Sequence, residues 1–393
     1  MSGFPKRFAL FNYGFRPFFL LTGLYAVITM VIWQIILFTG VWPDSDLPPY
    51  LWHGHEMLFG FVGAAIAGFL LTAVPSWTGQ RGFSGLPLII LVSIWIAGRL
   101  VIIFHVYFPP ILLASIDLAF FPVLGCMLAP SLLRGKSRNL VFLMFLVVLF
   151  AANLIFHFAV ARGSTAFASI GLLLCTNTVL LIISIIGGRI VPAFTLSAVR
   201  RTDDSFVIMP FPTLDRAAIF CMLLILIIDL IWPYSITAGW LALIAALIHA
   251  VRLARWKTLQ GLGKAIVWIL HVSYAWIIIA LALKGLFLLT GSITSSAWLH
   301  AFTTGAFASM ILAVMTRASL GHTGRSLTVP PLIVVSYVLI TLAAIVRVSG
   351  PVFPDVYSYS ITISGVLWIA AFGLFLVVYT PILITPRVDG KPG

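Results

Sequence analysis

Twelve long apolar stretches constrain this chain more than any other feature. They run over residues 18–40, 53–74, 87–108, 111–133, 140–160, 168–188, 213–231, 236–254, 265–289, 297–318, 329–348 and 360–382. A helix that crosses the hydrocarbon of a bilayer needs about 20 mostly apolar residues, so each stretch has the length of one span. With 62% apolar and 8% charged residues and a mean hydropathy of +1.16, the chain cannot cover itself with a water-soluble surface. The expected fold class is all-α, a polytopic integral membrane protein with about 12 transmembrane helices and both termini cytoplasmic. Residues 1–17 form a lead, 18–382 a single membrane domain and 383–393 a tail.

The net charge of +13 invites a nucleic-acid reading, and its distribution removes it. With the N-terminus inside, nineteen of the 23 basic residues fall on the cytoplasmic side. The opposite loops hold only Arg162 and Arg347, and Arg99 and Lys284 lie within spans. That asymmetry is the positive-inside rule, so the expected partner is the lipid bilayer and no nucleic acid. The basic, aromatic lead lacks a small-residue cleavage site and is expected to be retained. Cys126, Cys175 and Cys221 lie in spans without a CxxC and read as buried small hydrophobes. Gly187-Gly188-Arg189 followed by Pro192 reads as a helix stop. The long connection it opens, 189–212, falls at the midpoint and would suit a 6+6 pseudo-repeat.

Polar side chains inside spans are costly and need a partner or a task. Arg99 and Asp117 both lie about 10 Å deep by helical rise, on spans joined by the tight Pro109-Pro110 turn, and are expected to pair. Lys284, Asp229 and Arg347 lie within two turns of the outer boundary, where long side chains snorkel. The histidines form two layers. His53, His55, His105, His157 and His300 share an outer level. His249 and His271 lie about 8 Å from the cytoplasmic boundary, on consecutive helices, where they could face each other. His322 falls in the turn 321–325. Imidazole is the commonest metal ligand and serves haem iron, copper and zinc, so several histidines at one depth point to metal or haem.

The densest cluster is Trp52-His53-Gly54-His55-Glu56-Met57, with the only glutamate in the chain. Residues two apart on a helix face different ways. His53 and His55 could therefore converge on one ion only if Gly54 turned the backbone before the helix began, with Pro48-Pro49 upstream favouring such an entry. Glu56 would then lie in the first helical turn. Two small-residue stripes follow, Gly60/Ala64/Gly68 and Gly305/Ala308/Ser309. They would admit a neighbouring helix or, less readily, a flat porphyrin, and make spans two and ten candidate walls of one site.

Several longer motifs carry a resemblance. GFRPFF at 14–19, HGHEMLFGFVGAAIAGFLLTAVPSWTG at 53–79, GGRIVPAF at 187–194, WILHVSYAW at 268–276 and HAFTTGAFASMILAVMTRASLGHTGR at 300–325 resemble the NnrS family over essentially the whole chain. The resemblance implies a protein of the bacterial inner (cytoplasmic) membrane that contains haem and copper and serves the nitric oxide response, often alongside denitrification. The family's histidine motifs fall at His53, His55, His271, His300 and His322, its arginines at Arg189, Arg317 and Arg325, with no division between haem and copper.

The expected site follows from both lines. His53, His55, His271, His300, His249 and Arg189 are candidates for cofactor binding, the haem being taken as b type. His53, His55, His300, His157 and Met57 are candidates for copper or another metal, with Met310 as a further thioether, and Glu56 for the catalytic or proton-handling group. In one arrangement His53 or His55 joins His300 at a redox centre. In another, His249 and His271 hold haem near the cytoplasmic face, its propionates met by Arg189, Arg252 and Arg255. The leading function is a haem and copper protein of nitric oxide metabolism or nitrosative-stress defence that binds nitric oxide and reduces or otherwise disposes of it with electrons from a separate donor. The alternative is a transporter or chaperone for metal, haem or nitrosyl-metal species, which predicts broken helices at mid-membrane.

Overall fold

The apolar stretches become helices whose ends are set by proline and glycine. The computed structural model describes residues 8–134, 139–200 and 203–391. Lys6, Arg7, Lys136, Arg138 and Arg201, counted above on the cytoplasmic side, lie outside the described residues. The long helices are α1 (Phe15–Thr39), α2 (Pro49–Thr78), α3 (Leu86–Ile103), α4 (Pro110–Arg134), α5 (Val141–Ala161), α6 (Thr165–Val199), α7 (Pro212–Ile231), α8 (Ile236–Arg255), α9 (Ala265–Thr290), α10 (Ser295–His322), α11 (Pro331–Val352) and α12 (Tyr357–Ile384). Proline opens α2, α4, α7 and α11, at the position where its missing N–H costs nothing. Left-handed glycines, Gly40, Gly79 and Gly291, close α1, α2 and α9, a conformation that side-chain-bearing residues disfavour.

Eleven of these helices are long and apolar enough to cross a membrane, and the chain is a multi-pass membrane protein. The twelfth, α7, forms where the seventh span was expected but carries Asp215, Arg216 and Asp229. Its two carboxylates are both engaged by cations, Asp215 by Arg252 and Asp229 by Lys284.

The described residues divide into two compact units. Unit one lies within Met1–Cys175, Met315–Leu327 and Phe372–Gly393; unit two within Thr176–Val314 and Thr328–Ala371. In unit one α1 packs on α2, α3 on α4, and α4 on α5. The stripe of α2 is filled by aromatic side chains of α1: a Cβ on Gly60 would lie 2.4 Å from the Tyr25 ring, and one on Gly68 2.7 Å from that of Phe19. In unit two α8 packs on both α7 and α9, and α10 on α9 and α11. There a Cβ on Gly305 would lie 2.5 Å from the Trp276 indole. Both stripes therefore serve helix packing, and neither is an open slot for a macrocycle.

Two π-helical segments interrupt otherwise regular helices, Glu56–Val62 in α2 and Ala301–Ala308 in α10. Each starts immediately after a histidine, His55 or His300, and π turns of this kind recur at functional sites. The helix stop expected after Gly188 is absent. α6 runs through Pro192 to Val199, because one proline removes a single backbone bond from a helix 35 residues long. The midpoint connection shrinks accordingly.

At one end of unit one, two of the family motifs meet. The buried Arg16 donates through Nη1 to the carbonyls of Leu383 (2.8 Å) and Thr385 (2.7 Å), satisfying the open end of α12. Beside it the His322 ring packs against Tyr13 and Phe15. Cys175 and Cys221 are buried as expected, whereas Cys126 is exposed on the outer surface of α4.

Candidate metal centre

Four helices of unit one converge on a buried charge cluster. α2 brings His55 and Glu56, α3 brings Arg99, and α4 brings Asp117. α5 brings Asn153 and His157, four residues apart and hence on one helix face. Asp117 Oδ2 accepts from His157 Nε2 at 2.8 Å and from Asn153 Nδ2 at 2.7 Å. His55 Nε2 donates to Asn153 Oδ1 at 2.9 Å and lies 3.2 Å from the same Asp117 oxygen. Arg99 joins the two carboxylates: Nη1 donates to Glu56 Oε1 at 2.6 Å and Nη2 to Asp117 Oδ1. The expected Arg99–Asp117 pair therefore forms, inside a larger network.

Burial is complete at the centre, where His55 and Glu56 are 0% exposed and Asp117 2%. The rings of Phe59 and Phe156 lie 4.9 and 4.5 Å from the His55 ring. Beyond Phe156, an apolar layer of Leu47, Leu51, Trp52 and Ile102 keeps water out. Glycine is essential at position 60, since a Cβ there would meet the Tyr25 ring and lie 3.2 Å from Arg99 Nη1. Its absence lets the Tyr25 hydroxyl donate to Glu56 Oε2 while Arg99 approaches from the other side.

The donor and acceptor inventory places one mobile proton. Asn153 donates to Asp117, so its oxygen must accept, and His55 Nε2 carries a hydrogen. His55 Nδ1 faces Glu56 Oε1 at 2.8 Å. Either His55 is an imidazolium donating to the Glu56 carboxylate, or Glu56 is a carboxylic acid donating to a neutral imidazole. Both forms leave the cluster of Arg99, Asp117, Glu56 and His55 with no net charge, the state that low-dielectric burial demands. The proton can move between Nδ1 and Oε1 without creating an uncompensated charge.

Metal-ligating atoms also converge here. His55, Asp117 and His157 offer one ligand atom each, all within 4.8 Å of one another. Two imidazoles and a carboxylate suit a transition metal of the iron, copper or zinc type. A metal-bound imidazole usually gives its other N–H to a carboxylate, and His55 Nδ1 already faces Glu56. The residues therefore fit a metal ion that would displace the Nε2 protons of His55 and His157, with Glu56 orienting one ligand.

The remaining candidates are distributed elsewhere. His53 does not join His55, because Gly54 lies within regular helix starting at Pro49 and makes no turn. The two imidazoles diverge, His53 stacking on Trp33 at 4.3 Å, and Glu56 is seven residues into the helix. Gly54 instead clears Leu172, which a Cβ would meet at 2.8 Å. His105 stacks on Trp42 and bonds Ser45 Oγ at 2.8 Å. Met57 Sδ accepts from Thr29 Oγ1.

In unit two, His300 Nδ1 donates to the Ser296 carbonyl at 2.8 Å. His249 and His271 each take their own partners instead of facing each other: His249 Nδ1 meets the Tyr274 hydroxyl at 2.7 Å, and both His271 nitrogens are held by the hydroxyls of Thr195 and Thr258. Lys284 and Asp229, expected to snorkel, are each 2% exposed and form a buried ion pair. Arg189 lines a cavity with Arg252 and Arg255. Sequence reading took Asp117 only as a structural partner and missed Asn153. The available signal was a carboxylate and an amide in otherwise apolar spans, at the depth of two histidines.

A polytopic helical membrane protein with a buried histidine–carboxylate cluster is the class that this fold and site define. Within that class the chain belongs to the NnrS family, whose description is NnrS protein and which matches residues 9–387. It is thus a membrane protein related to the nitric oxide response. No curated protein matches the chain.

Proposed function

We propose that this protein binds nitric oxide at a metal centre held by His55, Asp117 and His157, and reduces it with protons handled by Glu56. The observation that carries this reading is the convergence of those three ligands beside a carboxylate that shares a proton with one of them. Copper is the metal implied by the family; when bound it would bind nitric oxide and relay electrons from a separate donor, two electrons and two protons being needed to turn two nitric oxide molecules into nitrous oxide and water. Arg99 bridges the two carboxylates, and the proton held between His55 and Glu56 compensates the second negative charge. Tyr25 and Arg99 hold Glu56 in the geometry that meets His55 Nδ1. Phe59, Phe156 and the apolar layer exclude water from the proton's path.

Haem, also implied by the family, has weaker support. The two stripes are filled by aromatic rings, and both nitrogens of His271 are already engaged. The family implies a bacterial inner-membrane location, and the positive-inside distribution supports both termini inside, with α7 as a further crossing.

Metal analysis and nitric oxide titration of protein purified from metal-replete cells test the reading. Asp117→Asn and His157→Ala should each lower bound metal at least about tenfold and abolish the spectral response to nitric oxide. Unchanged metal content in both would overturn the site. The transporter or chaperone reading draws on the interruptions of α2 and α10 by π segments. Consumption of nitric oxide by the reduced, purified protein separates the two.

A further inference from the structure

The cavity lined by Arg189, Arg252 and Arg255 belongs to unit two and contains none of the residues of the proposed metal centre. It has a volume of about 310 Å³ and is walled by the end of α6, the start of α7 and the end of α8. Three arginines face one carboxylate, Asp215, and the rest of the wall is apolar, including Pro192, Leu196 and Met209. An arginine cluster over an apolar slot has the chemistry of a site for a phosphate group carrying a greasy body.

Arg252 is the built part of this site. It is 3% exposed, yet it is fixed from three directions. Nε donates to Asp215 Oδ1 at 2.7 Å, and Nη1 donates to the Ser184 carbonyl and the Tyr274 hydroxyl, each at 2.8 Å. The guanidinium lies against Trp256, 5.3 Å from the ring centroid. Gly188 makes this placement possible, because a Cβ there would stand 1.8 Å from Nη2. Every hydrogen bond of Arg252 among the described residues uses Nε or Nη1, so both Nη2 protons remain for a ligand. A guanidinium held by its other nitrogens is pre-organised, and little entropy is lost when it engages an anion. At the mouth, the exposed Arg255 is held over the Phe211 ring at 4.7 Å, and Arg189 stands on α6 one residue beyond Gly188.

We infer that this cavity binds a phosphate ester, with Arg252 Nη2 as the buried anchor and Arg189 and Arg255 as the outer contacts. The apolar wall, at the ends of membrane-length helices, favours the phosphodiester of an anionic phospholipid over free phosphate. The site does not depend on the metal centre of unit one, so failure of either leaves the other standing.

Delipidated full-length protein in detergent, titrated with phosphatidylglycerol, phosphatidylcholine or inorganic phosphate and read by native mass spectrometry and thermal shift, tests the inference. Phosphatidylglycerol should bind and raise the melting temperature more than phosphatidylcholine does. Arg189→Gln/Arg255→Gln, which alters only the outer contacts, should weaken that binding at least about tenfold, as expected for loss of charge-assisted hydrogen bonds. Gly188→Ala, which displaces Nη2, should weaken it similarly. Binding of inorganic phosphate, lost in the same variants, would assign the same site to a free phosphate compound. Equal binding of all three probes, or anionic-lipid binding unchanged in both folded variants, would overturn the inference.

Discussion

Each unit buries an aspartate held by the same minimal set, and the two sets differ in what surrounds them. In unit two, Asp229 accepts from Asn177 Nδ2 at 2.7 Å and from the Lys284 ammonium, which also lies 5.1 Å from the Trp298 ring centroid. One carboxylate meets one cation, and the account closes. In unit one, Asp117 accepts from Asn153 and Arg99 in the same manner, but His55, His157, Glu56 and Tyr25 are added. Compensating Asp117 alone needs none of the four. These groups in excess, kept at the cost of desolvation, are what the proposed handling of protons and metal rests on.

The largest expected effects concern stability. Asp229→Ala leaves Lys284 buried without its partner, and Asp117→Ala strips Arg99, Asn153 and His157 of their shared acceptor; each should cost about 3–5 kcal/mol, seen as loss of folded protein or a lowered melting temperature in detergent. The comparison sharpens with paired replacements. Asp229→Leu/Lys284→Met should recover most of the loss, because apolar residues of similar size often replace a buried pair at little cost. Asp117→Leu/Arg99→Met should not, since Glu56, Asn153 and His157 lose their partners too. Equal recovery in both units would break the distinction.

The next effect is on chemistry. Glu56→Gln preserves shape and the contact to His55 but cannot exchange a proton, so bound metal should persist while nitric oxide consumption falls about 10²–10⁴-fold. Asp229→Asn, assayed in parallel, should leave consumption per folded molecule unchanged.

The smallest effect is at the exposed pair Arg387–Asp389, the opposite extreme from Arg99–Asp117. Two hydrogen bonds from Arg387, at 2.9 and 2.6 Å, hold the Asp389 carboxyl below its ordinary value. For an acid with a lowered native value, the stabilisation is fully present above the unfolded pKa of about 3.9 and is lost as pH falls below it. Solvent screening keeps it small. Proteolysis of the C-terminal tail should therefore be constant between pH 8 and 5 and rise only modestly in Asp389→Asn. A transition inside that pH window would contradict this.

Much of the helical layout was legible, because an apolar run of span length has one structural outcome in a bilayer. The Arg99–Asp117 pair was also legible, since two spans joined by Pro109-Pro110 must be neighbours and helical rise fixes depth. Local spacing misled where tertiary contact decides. Two residues apart on one helix, His53 and His55 point apart, and His55 instead meets His157 from another helix. Gly188 and Pro192 read as a stop, yet the glycine makes room for Arg252 and the helix continues. Lys284 and Asp229 read as snorkelling singly, yet they find each other.

The sequence by itself determined that this is a multi-pass helical membrane protein of the NnrS family, with its few polar residues at defined depths. Length, apolar patterning and charge distribution act along one chain and suffice for the membrane helices and the depths; the family rests on the ordered motifs over residues 9–387. Only the tertiary structure decided which polar groups share a cluster, because the rotation of each helix about its axis is set by packing, by Gly60 against Tyr25 and Gly188 against Arg252. That rotation joins His55, Asp117 and His157 around one carboxylate oxygen and leaves Asp229 with a lysine and an asparagine.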